Sequence, residues 1–195
     1  FTEIAAAESL SSLEVPEGRQ LYSACADIQC AFYQCGDIGD LCQYFSLPKI
    51  SRAEALRAGI SVKDLDDSSD YVYPAMQVLP MGWSWAFWFV QRLHLEIVRR
   101  AGVPSALVAT GSWPLPSVND APIEVPYSDN VNVFGLEPRA VLETRDRIVS
   151  HFEAEGFAMH DISEVSTDGV VLGADVGGAE PSTRRTLKNL LVLRK

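Results

Sequence analysis

Apolar and polar positions set out the elements of this chain before any single residue stands out. Tyr22–Ile28 (YSACADI) alternates and is rich in small residues, which predicts a buried strand ending near Asp27. CAFYQ (30–34) reads as a turn into a short helix, and QYFSLP (43–48) as another strand. SRAEALRAG (51–59) predicts a helix with both ends marked: Ser51 and Glu54 form a capping box, and Gly59 is the stop. DLDDSSD (64–70) is a solvated loop, and YVYPAMQVL (71–79) is extended, with Pro74 placing it at an edge or bulge. SWAFWFVQRLHLEIVRRAG (84–102) carries the strongest helical signal, with Gly102 as its stop. Residues 104–122 hold Pro104, Pro114, Pro116 and Pro122 and read largely as loop. Two apolar runs, Ile123–Val125 and Val131–Phe134, then flank YSDN (127–130), a hairpin whose Asp and Asn tolerate left-handed backbone angles. Pro138 opens a helix with Val141, Leu142, Ile148, Val149 and Phe152 apolar, ending at Gly156. VVLGADV (170–176) reads as a strand after a Thr167-Asp168-Gly169 turn. A short helix over Ile4–Leu13 and a basic one over residues 182–195 complete the pattern.

The order of strand, helix, strands, helix, hairpin, helix and strand indicates an α+β domain, an antiparallel sheet with helices packed on one face. No internal repeat or low-complexity tract is present. A length of 195 residues suits one domain or slightly more, and 47% hydrophobic residues support a buried core. The longest apolar stretch, around Trp83–Val90, is too short to span a bilayer and is soon followed by Arg92. With no signal-peptide pattern, an intracellular protein, cytoplasmic or nuclear, is expected. A first residue of Phe1 reads as a piece of something longer.

Charge and cysteine content narrow the chemistry. With 26 acidic against 16 basic side chains, the chain has a poor footprint for a free-standing nucleic-acid binder. An acidic excess suits a site that gathers divalent metal, and equally an ordinary soluble surface. Basic residues crowd the end, at Arg184, Arg185, Lys188, Arg194 and Lys195. Cys25, Cys30, Cys35 and Cys42 lack a C-x2-C pair, so a zinc site is weakly supported and free thiols are expected rather than disulfides.

Three motifs fall in order. DIQCAFYQ (27–34) has an aspartate at a strand end with an aromatic five residues on. LPMGW (79–83) is a Pro–Gly turn opening a helix that carries Gln91. YSDN follows. Together they resemble motifs A, B and C of the palm of reverse transcriptases of retroviruses and retrotransposons. The helix running to Gly156-Phe157 resembles motif D, and VVLG (170–173) resembles the hairpin that grips the primer. The resemblance covers residues 22–176, with 177–195 the start of a following segment, and implies a palm with partial fingers and no thumb.

The resemblance implies RNA-directed DNA polymerisation by two-metal nucleotidyl transfer, with template–primer and dNTPs bound by a full-length protein. Asp27 and Asp129 would hold two Mg²⁺ ions, or Mn²⁺ in their place, with help from the backbone carbonyl of Ile28 and from Asn130. Phe32 would gate the sugar, and Met81, Gly82, Gln91 and Tyr127 would contact nucleotide or template. Each position also has a plainer explanation: a helix N-cap at Asp27, core packing at Phe32, a Pro-x-Gly turn at Gly82, a solvent-facing side chain at Gln91. Trp83, Trp85 and Trp88 read as helix packing, and His94, His151 and His160 as surface or packing residues.

The chain departs from the pattern at several places. Asn130 replaces the second carboxylate of motif C, and Met81 stands where many retroviral members carry Gln. The Lys of motif D is missing, with His160 or Ser163 near its place. Only 26 residues precede Asp27, so this piece is expected to lack nearly all of the fingers and the basic residues that the family carries there. The isolated piece is therefore expected not to polymerise. These departures leave open a catalytically inactive, reverse-transcriptase-like binding or scaffold protein.

Overall fold

The computed structural model describes residues 2, 4–61, 63, 68–111 and 115–177. In chain order the elements are β1 (Tyr22–Ile28), α1 (Ala31–Gln34), β2 (Ile50–Ser51), α2 (Arg52–Arg57), β3 (Tyr71–Val72), α3 (Ser84–Arg100), β4 (Ile123–Glu124), β5 (Asn130–Gly135), α4 (Pro138–Ala154), β6 (Met159–His160), β7 (Asp168–Val171) and β8 (Ala174–Gly177). Short 3₁₀ turns occupy Ala7–Ser12, Gly39–Tyr44 and Ser105–Leu107. The architecture is α+β. The described residues divide into two compact units, one drawn from the stretches 2–31 and 87–177, the other from 32–86.

The first unit is organised by one antiparallel sheet of order β4-β5-β1-β6. Strands β5 and β6 flank β1, and α4 makes the crossover between them, so this part of the chain is a split βαβ arrangement. Period two assigns the faces. Ala24 and Ala26 lie opposite Val133 and Val131, while Ser23, Cys25 and Asp27 lie opposite Phe134, Asn132 and Asn130. The first set faces the helices. A Cβ on Gly135, in the same row, would stand 2.9 Å from Val141 Cγ2 of α4. Small residues on β1 and a glycine closing β5 thus let α4 approach the sheet closely.

Helix α4 buries Val141, Thr144, Arg145, Ile148, Val149 and Phe152, one stripe at helical spacing, with Pro138 in its first turn. The opposite face of the sheet is covered by a second apolar cluster that joins Phe134 and Ile123 to Leu10, Leu13 and Leu21 of the N-terminal segment and to Val171 and Val176 of the β7–β8 pair. Buried Arg145 donates to the carbonyls of Cys25 and Ser163, and Ser163 bonds Cys25 in turn, so the stretch after β6 stays fastened along β1.

In the second unit β2 pairs with β3, and the capping box at Ser51 and Glu54 is complete. Phe45 and Trp83 pack with ring centroids 4.9 Å apart. All three predicted glycine stops close their helices alike. Gly59, Gly102 and Gly156 take φ of 87°, 74° and 90°, and the next N–H reaches back to Ala55, Val98 or Phe152. That is the Schellman pattern, which requires a left-handed residue.

Several expectations need correction. Residues 43–48 are not a strand: Gly39–Tyr44 is a 3₁₀ turn, and Ser46 makes only an isolated bridge with Ala75. The extended stretch 71–79 contributes a two-residue strand, after which Pro74 leaves isolated bridges. Residues 170–176 fold as two strands, because Leu172 and Gly173 take φ of 53° and 74° and turn the chain back on itself. The expected helix over 182–195 and most of the loop 64–70 lie outside the described residues.

Fully buried Phe134 lies at the centre of the apolar cluster, so Phe134→Ala is expected to destabilise the chain by about 3–5 kcal/mol. Ser51→Ala, which removes only a cap, should cost about 1 kcal/mol. Urea denaturation of the two variants checks the contrast.

Candidate functional site

Tyr127 and Asn130 exchange both backbone hydrogen bonds, at 3.1 and 2.9 Å, so Ser128 and Asp129 form a two-residue hairpin loop between β4 and β5. The left-handed residue is neither the Asp nor the Asn. It is Ser128, with φ of 54°. A non-glycine residue at the first position of a tight hairpin is strained and persists only where its surroundings fix it.

Those surroundings come from α3. Gln91 Oε1 accepts from the Ser128 N–H at 2.7 Å, and Gln91 Nε2 donates to the Pro126 carbonyl at 3.2 Å. His94 Nδ1 lies 2.9 Å from the Ser128 carbonyl. Its other nitrogen, Nε2, lies 3.1 Å from Glu124 Oε1, with both side chains fully buried. Burial raises the Glu124 carboxyl above its ordinary range, opposed by the nearby His94. Edge-on contact with Phe152, at 5.2 Å between ring centroids, holds the imidazole in place. Tyr127 packs edge-on against Phe87 at 5.5 Å.

Above this support the strand register brings the acidic residues together. Asp27 lies directly opposite Asn130 on β5 and opposite His160 on β6, so the three share one row across one face of the sheet. The Ile28 N–H donates to the Asp129 carbonyl at 2.9 Å, which fixes the hairpin tip beside the end of β1. Asn130 Nδ2 donates to Asp129 Oδ1 at 2.9 Å. His160 Nε2 is 3.3 Å from Asp27 Oδ1, and its Nδ1 is 3.1 Å from Asp161 Oδ2. Asp27 is raised above its ordinary carboxylate value, first by partial burial and then by the charge of Asp129; His160 pulls it back and Asp161 adds to the rise. That coupling places the two carboxylates in each other's field.

Sequence-predicted residues separate into two groups. Asp27, Ile28, Tyr127, Asp129, Asn130 and Gln91 come together in the first unit. Gln91 is 1% exposed, not solvent-facing, and Asp27 is a strand residue paired on both sides, not a helix cap. Phe32, Met81 and Gly82 belong to the second unit: Phe32 is half-buried in α1, Met81 is exposed, and Gly82 has φ of 95°, open only to glycine at low strain. Trp85 is largely exposed, and His94 is wholly buried, packed against Phe152. The sequence reading missed the pairing of His94 with Glu124. Its signals were a carboxylate between Ile123 and Val125 in an apolar run, and a histidine three residues after Gln91 on the stripe that holds Val90 and Ile97.

Among the described residues no three His, Cys, Asp or Glu side chains form a cluster that could hold a metal ion, and all four cysteines are free thiols. No described helix is long and apolar enough to cross a membrane. No protein-family model matches the chain, and no curated protein matches it.

A raised Asp27 means that the folded chain holds this proton more tightly than the unfolded chain. Its ionisation therefore lowers stability as pH rises from about 3.8 through the folded value. Asp27→Asn should melt at a higher temperature than the parent at pH 7, the gap closing toward pH 4. Thermal melts at the two pH values measure it.

Proposed function

We propose that the chain is the palm piece of an RNA-directed DNA polymerase of retroelement type, with Asp27 and Asp129 as its paired metal ligands. The observation that supports this reading is backbone adjacency: Asp27, at one strand end, lies opposite Asn130, and the Ile28 N–H donates to the carbonyl of Asp129 at the hairpin tip, about a hundred residues on in sequence. Burial first, and then the charge of Asp129, hold the Asp27 carboxyl above its ordinary range, which is consistent with two carboxylates in each other's field. The donor set fits Mg²⁺ or Mn²⁺, which take hard oxygen ligands and commonly only one or two protein carboxylates. Bound there, a pair of such ions supplies electrostatic stabilisation to a transferring phosphoryl group.

The chain's own residues would then divide the work. Asp27 and Asp129 hold the cations. Asn130 orients Asp129 through its amide, and His160 Nε2 lies 3.3 Å from Asp27 Oδ1. Sugar and nucleotide contacts at Phe32, Met81 and Gly82 stay what the resemblance implies, since these residues belong to the second unit. Gln91 is assigned to the hairpin rather than to a template, since both ends of its amide bond the backbone of residues 126 and 128.

A second reading, an inactive reverse-transcriptase-like protein that binds nucleic acid or serves as a scaffold, is favoured by one contact. The Asn130 amide donates to Asp129 Oδ1 and so engages an oxygen that a cation would use.

Calorimetric titration of the 195-residue chain with Mn²⁺ tests the proposal. Asp27→Asn and Asp129→Asn should each weaken binding by roughly tenfold or more, and Asn130→Asp should strengthen it by a similar factor. Because the cation competes with a proton on Asp27, affinity should rise with pH across the carboxylate range. Binding indifferent to both aspartates would defeat the reading. Asp27-dependent extension of a primed RNA template separates an active polymerase from its inactive relative.

A further inference from the structure

We propose that His94 and Glu124 form a buried, one-proton anchor that fixes the carbonyl of Ser128 and thereby the aim of Asp129. The assignment of a single proton follows from hydrogen-bond chemistry. The Ser128 carbonyl can only accept, so His94 Nδ1, 2.9 Å away, must carry a hydrogen. That leaves Nε2 facing Glu124 Oε1 at 3.1 Å, with no solvent at either group. If imidazole were neutral and carboxylate ionised, two lone pairs would oppose each other and an uncompensated charge would be buried. One proton between them removes both problems, whether the pair is written as imidazolium–carboxylate or as imidazole–carboxylic acid.

Packing alone gives no reason for this pair. Glu124 lies opposite Val133 on the sheet face turned to the helices, where a valine or leucine would sit at lower cost. What apolar side chains could not supply is a donor from beneath the hairpin. Ser128 has both backbone groups turned to α3, its N–H to Gln91 and its carbonyl to His94. Glu124 reaches neither directly. It acts through His94, holding the ring in the tautomer that donates from Nδ1. Both are positioning residues, and their link to function rests on the reading of Asp129 as a metal ligand.

The anchor is tested apart from that reading. In long-range ¹H–¹⁵N spectra of the wild-type chain, His94 should show a protonated Nδ1 whose hydrogen exchanges slowly. An Nε2–H tautomer with a bare Nδ1 would overturn the proposal. Amide exchange at Asn130 and Ile28, whose N–H groups close the hairpin and join it to β1, reports the aim of the tip. His94→Phe keeps the ring contact but removes the donor, and should accelerate exchange at both amides on the order of tenfold, while amides in the middle of β1 stay protected. Glu124→Gln, whose amide can donate to Nε2, should stay within about threefold of the parent, and Glu124→Leu should resemble His94→Phe. Unchanged exchange in His94→Phe would refute the anchor; should that variant not fold, the wild-type spectrum and Glu124→Gln still decide. In parallel, Mn²⁺ titration should show weaker uptake by His94→Phe. A wild-type chain that takes up no Mn²⁺ would sink the metal reading, with exchange still deciding the anchor.

Discussion

A serine held in the left-handed region is the constraint around which the first unit is arranged. Tight hairpins favour glycine at this position, and Ser128 has no such freedom. Its conformation is kept by hydrogen bonds to both backbone groups from a helix that crosses beneath. Gln91 and His94 supply them, and Glu124 sets the ring of His94. Asn132 adds to the same fixation, donating from Nδ2 to the carbonyls of Val125 and Asn130 at 3.0 and 3.3 Å. Of the buried polar residues, Gln91, His94, Glu124, Ser128 and Asn132 all lie in or against this one hairpin. Buried polar groups destabilise a core unless satisfied, and here Gln91, His94 and Asn132 direct their bonds at the hairpin backbone, while Ser128 Oγ and Glu124 Oε2 have no hydrogen-bond partner.

The specification carries to Asp27 through strand register. A slip of one residue between β1 and β5 would turn Asp27 toward the helices and Ala26 toward the opposite face. Ala24 and Ala26 forbid that slip, because the close approach of α4 to the sheet leaves no room for a charged side chain there. The site and the core are thus fixed by the same pairing. The acid that stands beside Asp129 does so because its alternate neighbours on β1 are small and buried.

Much of this was legible in the sequence, for identifiable reasons. β1, α2, α3, α4 and the YSDN hairpin were readable because their periodicity or caps are local: Ser51 with Glu54, the three glycine stops, the alternation of Tyr22–Ile28. The errors fall where local pattern competes with turns. QYFSLP has strand-like composition but no partner strand, and VVLGADV hides a reversal at Leu172-Gly173 that looks apolar throughout. β6 went unseen because two residues carry no period. At the site, adjacent strands for Asp27 and the hairpin were expected from resemblance, and the register pairs Asp27 with Asn130, the residue after Asp129. The support beneath it was hidden because single-residue habits mislead: histidine and glutamine usually lie at surfaces, and only their spacing with Val90 and Ile97 on α3 indicates otherwise.

Asn130 gives the row of side chains its electrostatic character. A third carboxylate at this position, directly opposite Asp27 and next to Asp129, would raise the repulsion already felt by Asp27. An amide removes that charge and adds a donor, and the donor is bonded to Asp129 Oδ1. The exchange that weakens attraction for a divalent cation therefore also stabilises the site without one. On the other side of Asp27, His160 opposes part of the rise in its carboxyl. Charge balance without a bound cation and attraction for one are thus set in opposition by a single side chain at position 130.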